Sequence, residues 1–188
     1  MSVTPLLRVS DMTDWSQIVQ EHGPLVWRTA YRLLNQEADA ADCFQRTFVS
    51  ALEVALVERV RHWPALLRRL ATARALDQLR QRRREADRMR SGFDEALIPD
   101  KSAEPDQTAA ASELAEHLRK ALAELEPRQA QVFCLACLEE VGYAEIAQQL
   151  GITVNHVGVL LNRARGDLRE RLRAHAPGGP AIEREVQP

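Results

Sequence analysis

The stretch of sequence that decides the fold is residues 143–164, which read YAEIAQQLGITVNHVGVLLNRA. A small residue, a glycine and a β-branched residue stand at Ala147, Gly151 and Val157, four and then six positions apart. The small side chain lets two helices cross closely, and the glycine permits a left-handed turn between them. The spacing predicts a helix-turn-helix, although an ordinary helical hairpin with a glycine turn has the same pattern.

The second helix of this pair is predicted over Val154–Arg173, with one apolar face and one polar face. At about 100° per residue, the predicted inward stripe is Val154, Val157, Leu161, Ala164, Leu168 and Leu172. The opposite face presents Asn155, Val159, Asn162, Arg163 and Gly166, flanked by His156 and Arg169. Asn pairs with adenine, Arg binds guanine or phosphate, and Val contacts a thymine methyl group, so this face suits the major groove.

Charge is distributed unevenly along the chain of 188 residues, which carries a formal net charge of −2. Residues 59–90 contain 11 arginines and 3 acidic residues, net +8, whereas residues 1–58 and 91–126 are acidic, at −4 and −6. Residues 127–188 are neutral. The basic segment is therefore a candidate surface for a polyanion.

Several functional classes are excluded by what the sequence lacks. No apolar run approaches the roughly 18–20 residues of a membrane span, and no secretory signal is visible. Cys43, Cys134 and Cys137 are too few for a disulfide scaffold, so we expect a cytoplasmic protein. A zinc or redox role for Cys134-x-x-Cys137 is less favoured than buried core thiols. Without catalytic, phosphate-binding or metal-ligand motifs, we expect no enzyme activity, cofactor or metal.

Helical periodicity begins at Trp15, with Asp14 as the predicted N-cap. Gly23-Pro24 interrupts the pattern and predicts a kink or a break. A second helix is predicted over Asp39–Val57. Its predicted inward side chains are Phe44, Phe48, Val49, Leu52 and Leu56.

A third helix is predicted to begin at Trp63-Pro64, because proline suits the first turn of a helix. It runs into the arginine cluster Arg80–Arg84. Trp63 is interpreted as a core anchor in preference to a stacking surface for an unpaired base. After Ser91 the apolar periodicity stops and acidic residues, glycine and proline accumulate, which predicts a linker.

The predicted fold class is all-α. Two small helical domains, residues 12–90 and 113–176, are joined by a flexible acidic linker, residues 91–112. The second domain contains the helix-turn-helix. Residues 177–188, rich in proline and glycine, are predicted to form a frayed tail.

Three blocks in this order resemble bacterial sigma factors of the sigma-70 family, extracytoplasmic-function (ECF) group. Asp39–Phe48 reads DAADCFQRTF, similar to the family's Asp-Ala-Glu-Asp-x-x-Gln-Glu-Thr-Phe. Leu67–Arg80 reads LRRLATARALDQLR and is followed by an arginine run. The third block consists of Leu122–Gln129, Tyr143–Ala147 and Asn162–Arg165. The resemblance covers roughly residues 12–175.

The resemblance implies a promoter-specificity subunit that binds core RNA polymerase and reads the minus-ten and minus-thirty-five promoter elements. The first block would dock on the clamp helices of the largest polymerase subunit, through Asp39, Asp42, Gln45, Arg46 and Phe48. The same polar residues also suit an ordinary solvated helix face.

The second block resembles the segment that opens the minus-ten element and holds its non-template strand. Its predicted DNA-binding residues are Arg74, Arg80, Arg82, Arg83 and Arg84, since unpaired DNA needs a basic groove. An arginine run also suits a helix C-terminus. In the third block, the implied DNA-binding residues are Asn155, His156, Val159, Asn162, Arg163 and Arg165.

The chain departs from the family pattern at four positions. Leu66 and Ala73 stand where the family usually has Trp and Asn, and the Asn is a candidate base contact. Gly158 and Leu160 replace two cationic residues of the recognition helix, which is expected to weaken phosphate contacts.

Two other functions remain open: a stand-alone helix-turn-helix regulator, and a protein-interaction factor whose DNA readout has decayed. Many members of the family are held inactive by an anti-sigma factor. The resemblance therefore adds such a partner to core polymerase and promoter DNA, although nothing in the sequence encodes it.

Overall fold

The computed structural model describes residues 14–92 and 107–173, and within them every regular element is helical. The helices are α1 (Trp15–Leu34), α2 (Glu37–Val57), α3 (Trp63–Gly92), α4 (Gln107–Glu124), α5 (Pro127–Phe133), α6 (Tyr143–Leu150) and α7 (Val154–Leu172). A π-helical segment, Cys134–Leu138, continues α5. The predicted all-α fold class is confirmed. No helix in these two ranges combines the length and the apolar character that crossing a bilayer requires.

Helix α1 begins as the sequence predicts and continues through its proline. The Asp14 carboxylate accepts hydrogen bonds from the backbone N–H groups of Ser16 and Gln17, at 3.0 and 3.2 Å. Pro24 lies inside the helix, so of the predicted kink or break the break is excluded. An interior proline costs about 3 kcal/mol. The buried inner face of α1, which packs against α2 and α3, offsets this cost.

Helices α1, α2 and α3 form the first helical unit. Its own apolar cluster consists of Ile18, Val26, Ala51, Leu67 and Ala71. The rings of Trp15 and Trp63 pack edge to face against each other, with centroids 5.4 Å apart. Both rings pack against this cluster. Trp63 is therefore a core anchor at the start of α3, as the sequence favours.

Helices α4 to α7 form the second unit, and α6 and α7 adopt the predicted helix-turn-helix. Gly151 ends α6 with φ +63°, in the left-handed region. The Ile152 N–H then donates to the Ala147 carbonyl oxygen at 3.0 Å. The Thr153 hydroxyl accepts a bond from the His156 N–H at 3.2 Å and caps α7.

Alanine substitutions at two glycines of this motif are expected to change stability in opposite directions. Gly151→Ala places a Cβ in the left-handed region and should lower the free energy of unfolding by about 1 kcal/mol. Gly158→Ala removes a glycine from inside α7 and should raise it by up to about 1 kcal/mol. A Cβ at either position meets no described atom within 4 Å, so packing does not decide whether the substitution stabilises or destabilises the fold. Urea unfolding measures both, and equal effects would contradict this account.

The two units share one hydrophobic core. Helix α3 packs against α4 and also contacts α5 and α6. The largest buried side chains of the shared core come from both units: Leu33, Leu34, Leu76, Leu79, Leu122, Leu125 and Leu168. The sequence predicts two domains with a flexible connection and does not predict this contact.

The segment predicted as a linker begins and ends in helices. Its first two residues complete α3, which ends at Gly92, and its last six belong to α4, which begins at Gln107. Residues 93–106 lie outside the described residues, so their flexibility stays a prediction. The predicted frayed tail, residues 177–188, lies outside them as well.

Candidate nucleic-acid interface

The six side chains predicted to contact DNA from the second unit are all exposed on α7. They are Asn155, His156, Val159, Asn162, Arg163 and Arg165. The inner side of the same helix is closed, because Val157, Leu161 and Ala164 are at most 1% exposed. Helix α7 therefore presents a polar face from a rigid apolar base, as a major-groove helix must. We call these six residues the reading face.

Two predictions about the sides of α7 were wrong. Val154 was predicted to point inward, but it begins the helix and is 50% exposed. Leu160 was predicted to replace a cationic residue that contacts DNA, but it is 5% exposed and packs in the core of the second unit. Leu160 follows Val157 by three positions, so both side chains lie on the inward side. Of the two substituted positions, only Gly158 stands outside the core.

Arg163 and Arg165 lie on the reading face in different surroundings. The Arg165 Nη2 atom lies 3.7 Å from the Cys137 sulfur, and this hydrogen bond raises the pKa of the guanidinium further above its usual value. Arg163 makes no ion pair or side-chain hydrogen bond within residues 14–92 and 107–173. Arg163 is thus the reading-face arginine whose donors are free for an external acceptor.

On α3, two of the predicted DNA-binding arginines are held by neighbouring side chains. The Arg74 Nη2 atom donates to the Ser50 hydroxyl of α2 at 2.6 Å. The Arg80 Nη1 atom pairs with Asp77, one turn earlier, at 3.1 Å. The Arg80 side chain is only 17% exposed. Arg74 therefore links α3 to α2 although it is exposed, whereas Arg80 is held along α3 itself.

Arg82 is the most extensively bonded of the predicted arginines. Its guanidinium pairs with the Asp39 carboxylate and donates to the Gln36 side chain at 2.9 Å and to the Leu34 carbonyl at 3.3 Å. Burial lowers the pKa of Arg82 from its usual value. The pair with Asp39 joins a residue predicted to bind DNA to one predicted to bind polymerase. Arg82 therefore fixes the end of α1 and the start of α2 against α3.

Arg83 and Arg84 are exposed, whereas Arg80 and Arg82 are half-buried. Arg83 lies 3.3 Å from Glu124 on α4 and 3.7 Å from Asp87. Arg84 is exposed and has no ion pair with any residue that the structure describes. Of the five predicted arginines, Arg84 alone has no partner among the described residues, whereas Arg74 and Arg83 are exposed but bonded.

The two departures from the family pattern on α3 are not equivalent in the structure. Leu66 is 9% exposed and belongs to the core, so it faces away from any nucleic acid. Ala73 is half-buried. Neither side chain offers a hydrogen bond to a base, which leaves readout on this helix to its arginines.

The residues predicted to dock on polymerase lie along α2. Gln45 and Arg46 are exposed, and Arg46 pairs with Asp42 at 3.0 Å along the helix. Asp39 forms an ion pair with Arg82, as described above. Phe48 is half-buried and packs against Phe44, with ring centroids 5.0 Å apart. The exposed polar part of this surface is therefore Asp42, Gln45 and Arg46.

An exposed apolar stripe continues this polar surface toward the end of α2. Val49, Leu52 and Leu56 were predicted to point inward, but they are 57%, 41% and 67% exposed. Together with Asp42 and Gln45 they repeat every three and four residues, within about 80° of the helix circumference. That repeat was visible in the sequence and is the signal that identifies them. We call these five residues the α2 surface.

The three thiols occupy different environments. Cys43 and Cys134 are fully buried, and burial raises the pKa of Cys43 to about 11 and raises that of Cys134 strongly. Cys137 is half-buried. The core-thiol interpretation is confirmed for Cys134, whereas Cys137 lies at the edge of the core.

Thiol labelling of the folded protein at pH 8 is expected to modify Cys137 first. Thiolate is the reactive form, and burial suppresses it at Cys43 and Cys134. Titration with a chromogenic disulfide should give one fast thiol in buffer and three in concentrated urea. Rapid reaction of all three in buffer would contradict the burial of Cys43 and Cys134.

Comparison with known proteins identifies the class to which this arrangement belongs. The family model described as Sigma-70 region 2 matches residues 18–85, and the model described as Sigma-70, region 4 matches residues 115–168. The first covers the unit that carries the α2 surface, and the second covers the helix-turn-helix. The chain belongs to the sigma-70 family, and its relatives place it in the ECF group. Members of this family are non-enzymatic initiation factors.

The ECF RNA polymerase sigma factor SigE of Mycolicibacterium smegmatis is 30% identical over 166 residues, which are 88% of this chain and 64% of that relative. The chain thus spans slightly less than two thirds of the length of SigE. SigW of Bacillus subtilis, also an ECF sigma factor, is 23% identical and is covered over 93% of its length by 89% of this chain.

A solved structure with a similar fold is the sigma factor RpoE in complex with the anti-sigma factor NepR from Bartonella quintana. Its TM-score is 0.50 at 23% identity, with 85% of this chain and 97% of that chain covered. This likeness concerns the fold of the chain.

Proposed function

We propose that this chain binds core RNA polymerase and directs it to promoters whose upstream element is read by the α7 reading face. The observation that carries the proposal is the exposure of all six predicted reading-face residues on a helix whose other side is buried. This face presents five hydrogen-bonding side chains and one apolar side chain, Val159, which suits direct readout of base edges.

The α2 surface supports docking on the polymerase clamp helices. It combines Asp42, which pairs with the neighbouring Arg46, and Gln45 with an apolar stripe that no described residue covers. Exposed apolar groups rimmed by polar ones are typical of protein-binding surfaces. The apolar stripe would supply affinity, and the polar residues would set orientation.

Helix α3 would hold the separated strand of the minus-ten element. Arg84 is free for a phosphate within the described residues, and the net charge of residues 59–90 is +8. Single-stranded DNA is held by such basic surfaces without sequence preference. Base-specific readout would then rest mainly on α7.

The two alternative functions are less well supported. A stand-alone regulator has no need of the α2 surface, which the structure leaves exposed beside the first block. A factor with decayed DNA readout is disfavoured because Asn155, Asn162 and Arg163 all remain exposed on one face. We propose that the protein acts in the cytoplasm, where its polymerase and promoters are. RpoE, which shares the fold, is found with an anti-sigma factor, and this supports such a partner here.

Reversing the charge at Asp42 is expected to weaken binding to core polymerase about tenfold or more, since an interface charge then meets its partner with the wrong sign. Asp42→Arg also faces Arg46 across one helical turn. Competition for a purified bacterial core polymerase against a labelled parent chain measures the effect.

The matched control for this experiment is Glu37→Arg, the same change on an exposed residue of α2 outside the α2 surface. Helicity should be retained in both variants. If Asp42→Arg competes as well as the parent chain, the docking assignment fails. If neither variant nor parent binds core polymerase, the proposed function itself is wrong.

A further inference from the structure

We propose that the cleft between α3 and α4 binds a small organic phosphate, of the size and charge of a nucleoside monophosphate. The proposal goes beyond the proposed function and does not depend on it, because the residues that line this cleft belong to neither the reading face nor the α2 surface. It rests on the size of the cavity, on the cations that both helices bring to it, and on hydrogen-bond donors there that no described residue uses.

The cavity has the size and the apolar base that a small-molecule site needs. Its volume is about 510 Å³, inside the range of roughly 300–1,000 Å³ that is usual for such sites. Leu79 of α3 and Ala123 of α4 line it and are buried, so they form an apolar floor. Ala86, one helical face along from Leu79, lines the cleft with a side chain too small to fill it. The cleft therefore has room for a ring beside a polar group.

Cationic side chains from both helices line the same cleft. Arg82 and Arg83 reach it from α3, and Arg119 and Lys120 reach it from α4. Burial lowers the pKa of Arg82, and the positive charge of Arg119 acts in the same direction, partly opposed by Glu116. The two guanidinium groups are thus close enough to repel each other across the cleft. An anion bound between them would relieve this repulsion.

The carboxylates that line the cleft are already paired. Asp87 and Glu124 lie 3.7 and 3.3 Å from Arg83, and Glu116 lies 3.2 Å from Arg119. Four cations and three carboxylates leave the lining with a net charge of +1. A ligand with one phosphate group, which carries about −1.5 to −2 at neutral pH, suits this charge better than a ligand with several.

Two neighbouring residues of α4 keep donors for such a phosphate. Arg119 donates through Nε to the Leu33 carbonyl at 3.1 Å and through Nη1 to Glu116, which leaves Nη2 without an acceptor among the described residues. The Lys120 ammonium is exposed and has no ion pair or hydrogen bond within residues 14–92 and 107–173. Hydrogen bonds from such cations to phosphate are about twice as strong as neutral ones. These two side chains would hold the phosphate while the apolar floor takes the ring.

Calorimetric titration of the full-length chain with adenosine monophosphate, at fixed ionic strength, tests the site. We expect saturable binding with a Kd below about 1 mM. Adenosine has the ring without the phosphate, and inorganic phosphate has the charge without the ring. Each should bind at least about tenfold more weakly than the nucleotide, because each uses only part of the cleft.

Two variants change the cleft in different ways. Lys120→Gln removes a free cation, and Ala86→Leu fills space without changing charge; each should weaken nucleotide binding about tenfold. The matched controls are Arg128→Gln and Ala38→Leu, which make similar changes at exposed positions of α5 and α2 outside the cleft. Both controls should bind as the parent does. Urea unfolding should give the parental midpoint for all four chains within experimental error.

No saturable binding of the nucleotide by the parent chain up to about 5 mM would overturn the proposal. A weakening in only one of the two cleft variants, or an equal weakening in Arg128→Gln, would overturn it as well, since the site requires both the charge and the space. Adenosine or inorganic phosphate binding as tightly as the nucleotide would refute the assigned ligand class. Core polymerase binding by the parent chain is measured separately, so the proposed function stands or falls independently.

Discussion

Replacing Arg163 with alanine is expected to lower transcription from a specific promoter about 10- to 100-fold. Arg163 is exposed on the reading face and has no partner in residues 14–92 and 107–173, so its loss removes an external contact. A bidentate arginine contact to a base discriminates by about 1–3 kcal/mol. The measurement is run-off transcription with purified core polymerase on a promoter selected by the parent chain.

The matched control is Arg128→Ala, which removes an exposed arginine at the start of α5, outside the reading face. It should transcribe within about twofold of the parent, as surface substitutions usually have small effects. Both variants should unfold at the same urea concentration as the parent. If Arg163→Ala transcribes as well as the parent chain, the assignment of Arg163 to the reading face is wrong.

Two neighbouring arginines of α3 are expected to behave differently when replaced by glutamine. Arg82→Gln should lower the free energy of unfolding by about 1–2 kcal/mol, because it leaves Asp39 and the Leu34 carbonyl without their partner. The Arg82 and Asp39 side chains are 31% and 26% exposed. The expected loss of unfolding free energy is therefore smaller than for a fully buried ion pair.

Arg84→Gln should leave stability within about 0.5 kcal/mol of the parent. It should instead reduce the salt dependence of single-strand binding by about 0.7 in the log–log slope. Urea unfolding and a salt titration on a single-stranded oligonucleotide measure the two effects. If Arg82→Gln changes only the slope and Arg84→Gln only the stability, the structural assignment of these side chains is reversed.

Local features of the fold could be predicted from the sequence because neighbouring residues determine them. Asp14 caps α1, and Gly151 adopts the left-handed conformation that only glycine takes easily. The spacing of Ala147 and Val157 around that glycine indicates the helix-turn-helix. Its reading face follows from the helical period alone.

The orientation of α2 could not be predicted in the same way. An apolar residue is not always buried, since a protein-binding surface and a core use the same side chains. Val49 and Leu52 therefore fit an inward face equally well. What separates the two cases is the packing of α1 and α3, which together cover only one side of α2.

The partners of the α3 arginines could not be predicted from the sequence either. Arg83 and Glu124 are 41 positions apart, and their pair forms only because α3 and α4 pack together. The amphipathic pattern of α4 shows that one face is buried but not which helix buries it. A net charge of +8 therefore overstated the number of arginines that are free for DNA.

The most direct test of the central claim is transcription from a library of random promoters by core polymerase with and without this chain. If the chain is a promoter-specificity subunit, the transcripts that depend on it should start downstream of two shared motifs about 25 base pairs apart. Arg163→Ala should lose or change the upstream motif only, and Asp42→Arg should reduce all of these transcripts. No transcripts dependent on the chain, or transcripts without a shared motif, would contradict the account.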